Sequence, residues 1–143
     1  MQDCIFCKIV RGELPAAKIY EDGDTVVFMD IGPIVKGHLL VVPRVHYAHL
    51  LETPPEVLAK LIAVVQKIAT AQKKALQADG INIVQSNGRS AGQVVDHIHF
   101  HVIPRFISDG HHWNWKPQKY ADTGEMQSLG DKIKNALISH GER

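Results

Sequence analysis

The segment His97-Ile98-His99-Phe100-His101-Val102-Ile103 alternates imidazole and apolar side chains with a period of two. That period reads as a strand, in which every second residue shares a face. Ile98, Phe100 and Val102 are expected to face a core. His97, His99 and His101 are expected to point the other way together, spaced about 6.5–7 Å apart. Solvent-facing strand positions more commonly carry Thr, Lys or Glu, so three aligned imidazoles point to chemistry rather than to a solvated surface.

The rest of the chain supplies partners for such a strand. Lys18 to Glu21 and Thr25 to Asp30 are β-rich runs around Asp22-Gly23, which predicts a hairpin that Gly32-Pro33 then breaks. His38 to Pro43 predicts a third strand, ended by its proline and apolar enough to be buried on both faces. Thr53 to Asp79 predicts one long helix. Thr53 and Glu56 have capping-box spacing, Val57, Leu58, Leu61, Val64, Val65, Ile68 and Leu76 follow the helical period, and Gly80 suits a C-terminal cap. Ile81 to Gln85 predicts a fourth strand, Ser86 to Gln93 a polar loop, and His97 to Ile103 the fifth strand, stopped by Pro104. A final helix is expected from about Glu125 to Ser139. Strands that dominate around one long helix indicate an α+β domain with an antiparallel sheet of about five strands. At 143 residues the chain has the size of one domain, with a less regular extension at 106–143. Trp113 and Trp115 in the extension could cover a site or a dimer surface; His111, His112 and His140 are expected at the surface.

Composition excludes several classes. A formal net charge of +1 lacks the basic excess of a nucleic-acid binder. No apolar run approaches a membrane span, and no signal-peptide pattern opens the sequence, so no membrane role and a cytoplasmic location are expected. The two cysteines, Cys4 and Cys7, are then expected to be reduced. Their Cys-x-x-Cys spacing has two physical readings: a redox dithiol, which usually follows a strand that this sequence lacks, or half of a zinc site needing two further ligands. His-x-His on a strand could itself serve a catalytic zinc, but Asp96, the adjacent carboxylate, falls on the opposite face by strand parity.

The histidine alternation resembles the signature of the histidine triad family, and further segments match its Hint branch, in the zinc-containing bacterial type. They are Cys4-Ile5-Phe6-Cys7-Lys8-Ile9, Glu13-Leu14-Pro15-Ala16, Tyr20-Glu21-Asp22, Phe28-Met29-Asp30-Ile31 and Gly37 to Pro43, then Asn87-Gly88 and Gly92-Gln93 ahead of the triad. The resemblance covers about residues 3–105.

It implies a HIT-like fold and an enzyme. His99 would be the nucleophile attacking the α-phosphorus of a purine nucleoside phosphoramidate or related conjugate, through a covalent nucleotidyl-histidine. His101, Asn87, Gln93 and the backbone of Gly92, Gln93 and Val94 would stabilise phosphoryl oxygens. Val94 stands where the family has a serine, so a hydroxyl that could assist the leaving group is absent. His38 would support the nucleophile, Asp30 would accept hydrogen bonds from ribose hydroxyls, and Ile5, Phe6, Ile9, Leu14 and Ile31 would line the base pocket. Cys4, Cys7, His46 and His97 would hold a structural zinc, keeping His97 beside the nucleophile. A homodimer built through the long helix and adjoining sheet is also implied. The rival activities are dinucleoside polyphosphate hydrolysis, a nucleotide-binding adaptor with vestigial catalysis, and a metallohydrolase using the triad as ligands.

Overall fold

The computed structural model describes residues 3–141 and places them in two compact units, one ending at His111 and one beginning at His112. In the first unit, helix α1 (Ile5–Val10) leads into strands β1 (Lys18–Glu21), β2 (Thr25–Met29) and β3 (Leu39–Pro43). Helix α2 (Pro55–Leu76) follows, then β4 (Gly80–Val84) and β5 (Phe100–Arg105). These strands form one antiparallel sheet in the order β1-β2-β3-β5-β4. The α+β architecture with five antiparallel strands is thus as the sequence indicates.

The two sheet faces are covered by different helices. Leu61, Val64, Val65 and Ile68 of α2 pack on Val27, Leu39, Val41, Ile98, Phe100 and Val102. On the other face Phe6 and Ile9 of α1 pack on Val26, Phe28, Leu40 and Val42. Every residue of β3 is buried, because it lies mid-sheet between two covered faces. Each aliphatic side chain so buried stabilises the fold by roughly 1.5–3 kcal/mol.

Four local expectations give way. The six-residue α1 has no counterpart in the sequence reading: it is too short for periodicity to register, and the Cys4 sulfur caps it by accepting the Cys7 N–H. Thr53 does not cap α2; Pro54 holds the N-cap and the Thr53 hydroxyl donates to the His49 carbonyl. At the other end Gln77, not Gly80, forms the cap, in the left-handed region at φ 56°. The chain must turn there because the Asp79 N–H bonds the Arg105 carbonyl and Gly80 already pairs with Arg105 in the sheet. Pro104 does not stop β5. It lies two residues beyond Val102, the last β5 residue paired with β3, where only β4 flanks it and a missing donor is tolerated. Gln77→Gly relieves the side-chain clash of the left-handed cap and is expected to stabilise by about 1 kcal/mol, measured as a raised urea midpoint at constant slope.

The second unit carries Trp113, Trp115 and helix α3 (Thr123–Gly141). This helix starts two residues before the expected position, because the Asp122 carboxylate accepts the Glu125 N–H while the Glu125 carboxylate accepts the Ala121 N–H. His112 is exposed and His111 half-buried; the side chain of His140 lies outside the described residues. Among the described residues, no helix is long and apolar enough to cross a membrane.

Candidate active site and metal centre

The α1 side of the sheet holds a cavity of about 500 Å³. Its apolar wall includes Ile5, Phe6 and Ile9 from α1, Leu14 from the following loop, and Ile31. Asp30, Gly92, Val94, His99 and His101 supply its polar edge and mouth. Pro15, Ala16, Phe28, Met29, Leu40 and Val95 also line it, and sequence reasoning missed all six. Phe28 and Leu40 could have been found from strand parity once α1 was known to cover their face.

His97 is not part of this cavity. Strand β5 begins only at Phe100, because the Ile98 N–H ahead of it donates to the Tyr47 carbonyl, 2.7 Å away. His99 and His101 line the cavity, their rings 4.9 Å apart, while His97 joins the cysteines. The expectation of three imidazoles on one working face therefore holds for two of them.

Fixed acceptors assign the tautomers. The His97 carbonyl lies 2.7 Å from His99 Nδ1, so Nδ1 carries the proton and Nε2 keeps its lone pair. The Phe6 ring stands edge-on to His99 at 5.0 Å and holds its plane. At His38 the Ile34 N–H donates to Nδ1, so the proton sits on Nε2 and is donated to His101 Nδ1, 2.9 Å away. His101 then carries its own proton on Nε2. One imidazole in the cavity is thereby set to accept a bond and the other to donate one. Asp30 Oδ2 stands 3.6 Å from His38 Nε2, and Asp30 Oδ1 accepts the Gly32 N–H.

Burial pushes His99 below the ordinary histidine range, opposed by its bond to the His97 carbonyl and by Asp30. His101 is pushed down to about 4 by burial and by the neighbouring His99 and His38. His38 is lowered mainly by burial, with Asp30 opposing. These rings are neutral at pH 7, which leaves a lone pair for nucleophilic work. The unfolded chain takes up a proton at about pH 6.5 that folded His101 refuses until about pH 4. Its contribution to stability is complete above pH 6.5 and is lost as pH falls through about 4. Urea midpoints at pH 7.5 and 5 should fall for the wild type and fall less for His101→Asn.

Two side chains expected at the phosphate are engaged elsewhere. Both Gln93 amide protons bond the carbonyls of Ala48 and Val95, and its Oε1 accepts the Gly88 N–H. Asn87 Oδ1 accepts the Leu50 N–H, and its amide exchanges bonds with Gln85. They shape the loop and do not line the cavity. The Gly92 and Gln93 N–H groups bond the carbonyls of Arg89 and Gly88, so of the three backbone donors expected at the phosphate only Val94 N–H has no internal partner among the described residues.

Cys4, Cys7, His46 and His97 each offer one donor atom, all within 4.8 Å of one another. His97 Nε2 donates to the Pro43 carbonyl, so its Nδ1 lone pair faces Cys4 Sγ at 3.5 Å and Cys7 Sγ at 3.6 Å. His46 Nδ1 lies 3.3 Å from Cys7 Sγ. A tetrahedral zinc with ordinary bond lengths separates sulfur and nitrogen donors by about 3.6 Å, so this donor set fits the ion. Burial first, and Cys4 beside it, raise the Cys7 thiol, the opposite of an activated redox cysteine. Asp30, His38 and His101 form a second compact group. Its two nitrogens at 2.9 Å share a proton, whereas two nitrogens on one tetrahedral ion stand about 3.3 Å apart.

The HIT domain model matches residues 11–107, more than half of the sequence. The chain belongs to the HIT domain family. Among HIT relatives, the adenosine 5'-monophosphoramidase HNT1 of Candida albicans is 39% identical over 139 residues, covering 94% of this chain and 91% of its own. The adenylylsulfatase HINT3 of Arabidopsis thaliana is 47% identical over 103 residues, 72% of this chain and 52% of that longer protein. A zinc-bound histidine triad protein from Mycobacterium smegmatis superposes with a TM-score of 0.75 at 39% identity, covering 94% of this chain and 98% of its own.

Proposed function

We propose that this HIT protein hydrolyses purine nucleoside phosphoramidates or closely related nucleotide conjugates at the α-phosphate, through a nucleotidyl-histidine at His99. The observation that carries the reading is the His99 ring itself. Its Nδ1–H is tied to the His97 carbonyl, so its Nε2 lone pair is the nucleophile available in a largely apolar cavity. In the first step Nε2 forms a bond to phosphorus and the bond to the leaving nitrogen breaks, the amine departing with a solvent proton. In the second, water attacks phosphorus and releases the nucleotide and a neutral His99. The His101 Nε2–H and the Val94 N–H are the donors for the phosphoryl oxygens, and Asp30 for the ribose hydroxyls is the acceptor. Val94, 88% exposed at the mouth, offers the leaving group no hydroxyl. The relatives named for an adenylyl phosphoramidate and for adenylylsulfate support an adenylyl group with a variable leaving group.

In the same reading Cys4, Cys7, His46 and His97 would hold zinc, supplying a closed cross-link between the chain's start and the catalytic strand rather than a reacting centre. Cysteines held by a metal rather than by a disulfide suit a reducing compartment such as the cytoplasm. Exposed Ile62 on α2 and Ile83 on β4 suit a homodimer packed through the long helix and the β4 edge.

The test mixes the protein with adenosine 5′-phosphoramidate and follows release of AMP, with acid-quenched mass spectrometry for an adenylyl adduct. Turnover with an adduct on the His99 peptide is expected. AMP binding with neither turnover nor adduct, repeated with diadenosine polyphosphates, would replace the enzyme with an adaptor.

A further inference from the structure

Gln72 is the one polar side chain among the buried residues of α2. Its amide nitrogen donates to the Gly37 carbonyl at 2.8 Å and to the Val102 carbonyl at 3.0 Å. Two carbonyl acceptors fix the orientation of the amide, since the flipped form would set oxygen against oxygen. Its Oε1 is left buried without a hydrogen-bond partner. A leucine would fill this position without that cost, so packing alone does not account for the glutamine.

The two acceptors have a functional address. Gly37 precedes His38, and Val102 follows His101. Leu39 pairs with Val102 and Leu40 with His101, so the two histidines meet diagonally across the β3–β5 ladder. Their single 2.9 Å hydrogen bond depends on the relative position of two strand segments 63 residues apart in sequence. The last turn of α2 also sits directly on Gly37: a Cβ there would fall 2.5 Å from Leu76 Cδ1 and 3.3 Å from Pro104 Cγ. Gly37, at φ +99°, lets the chain bend under the helix into His38.

We infer that Gln72 is a positioning residue, which clamps Gly37 and Val102 from the α2 side of the sheet and so holds the His38–His101 hydrogen bond on the opposite, cavity side. It touches no substrate. Its contribution to turnover rests on the function proposed above; its effect on the histidine pair does not.

The test uses Gln72→Met, which keeps the volume and removes both donors, and Gln72→Glu, which keeps the shape and, as a protonated carboxyl, can serve at most one of the two carbonyls. Ile68→Val, a core substitution one turn away, supplies a comparable loss of melting temperature. In 15N-labelled protein the His38 Nε2–H should be slow to exchange in the wild type and in Ile68→Val, and lost or shifted in both Gln72 variants. Turnover of adenosine 5′-phosphoramidate per adduct-forming site should fall about tenfold in Gln72→Met while AMP affinity is unchanged, as expected for a misplaced donor. A His38 proton unmoved in the Gln72 variant that folds overturns the inference whatever turnover does, as does its equal loss in Ile68→Val. If the wild type itself shows no turnover, the imidazole proton alone decides the clamp, and the proposed activity fails separately.

Discussion

His99→Ala is expected to lower turnover of adenosine 5′-phosphoramidate by at least about 10⁴-fold, or some 5.5 kcal/mol of barrier, because it removes the atom that bonds to phosphorus. No other imidazole can take over. His101 Nδ1 receives the His38 proton and His101 presents an N–H to the cavity, while His97 Nε2 is bonded to the Pro43 carbonyl. The variant should still bind AMP, since the apolar wall and Asp30 are untouched, and it should show no adduct. It should also fold: the substitution forfeits one hydrogen bond and the edge contacts with Phe6 and His101, none of which belongs to the α2 face of the core. Free imidazole offered to the emptied site should restore part of the turnover. Rapid-quench kinetics with calorimetric AMP binding check the whole set; turnover within tenfold of wild type would remove His99 from the mechanism.

The second large effect concerns the four-donor cluster. Zinc that binds the folded chain alone stabilises it by about 4 kcal/mol when free metal stands a thousandfold above its dissociation constant. For a chain of this size that corresponds to a fall of roughly 10–15 °C in melting temperature on chelation or in Cys7→Ala. The sulfur and nitrogen donors meet within 3.3–3.6 Å in the pairs measured above, so little rearrangement opposes binding. The loss should be in stability, with turnover per folded molecule changed little at temperatures where the fold survives, because His97 sits behind His99 rather than in the cavity. Chelation that abolishes turnover of a still-folded protein would instead favour a metal in the reaction. Atomic absorption on the purified protein, with melting curves before and after chelation, distinguishes the two.

Part of this organisation was written locally. Alternation at 97–103 placed Ile98, Phe100 and Val102 in the core, and the apolar run at His38 to Pro43 gave a strand buried on both faces. The helical period at 57–68 gave the face α2 presents to the sheet. Ordered motif matches named most of the cavity's lining before any fold was drawn. Other features had no local signature. Helix α1 is six residues long and capped by a cysteine sulfur, and Gln77 rather than a glycine turns the chain after α2 because Gly80 is already committed to Arg105. Asn87 and Gln93 have the chemistry of phosphate donors, yet neighbouring carbonyls and amides take their bonding capacity first.

The division follows from the range of the forces involved. By itself the sequence determined which residues of the longer elements face inward, because burial periodicity is a property of a few consecutive residues. Only the tertiary structure decided which imidazole accepts and which donates. That depends on partners far along the chain: His38 for His101, Pro43 and two cysteines for His97, and Gln72 behind the strands that carry His38 and His101. Hydrogen-bond direction is set by where a second atom stands to within a few tenths of an ångström, and strand register, not side-chain type, supplies that.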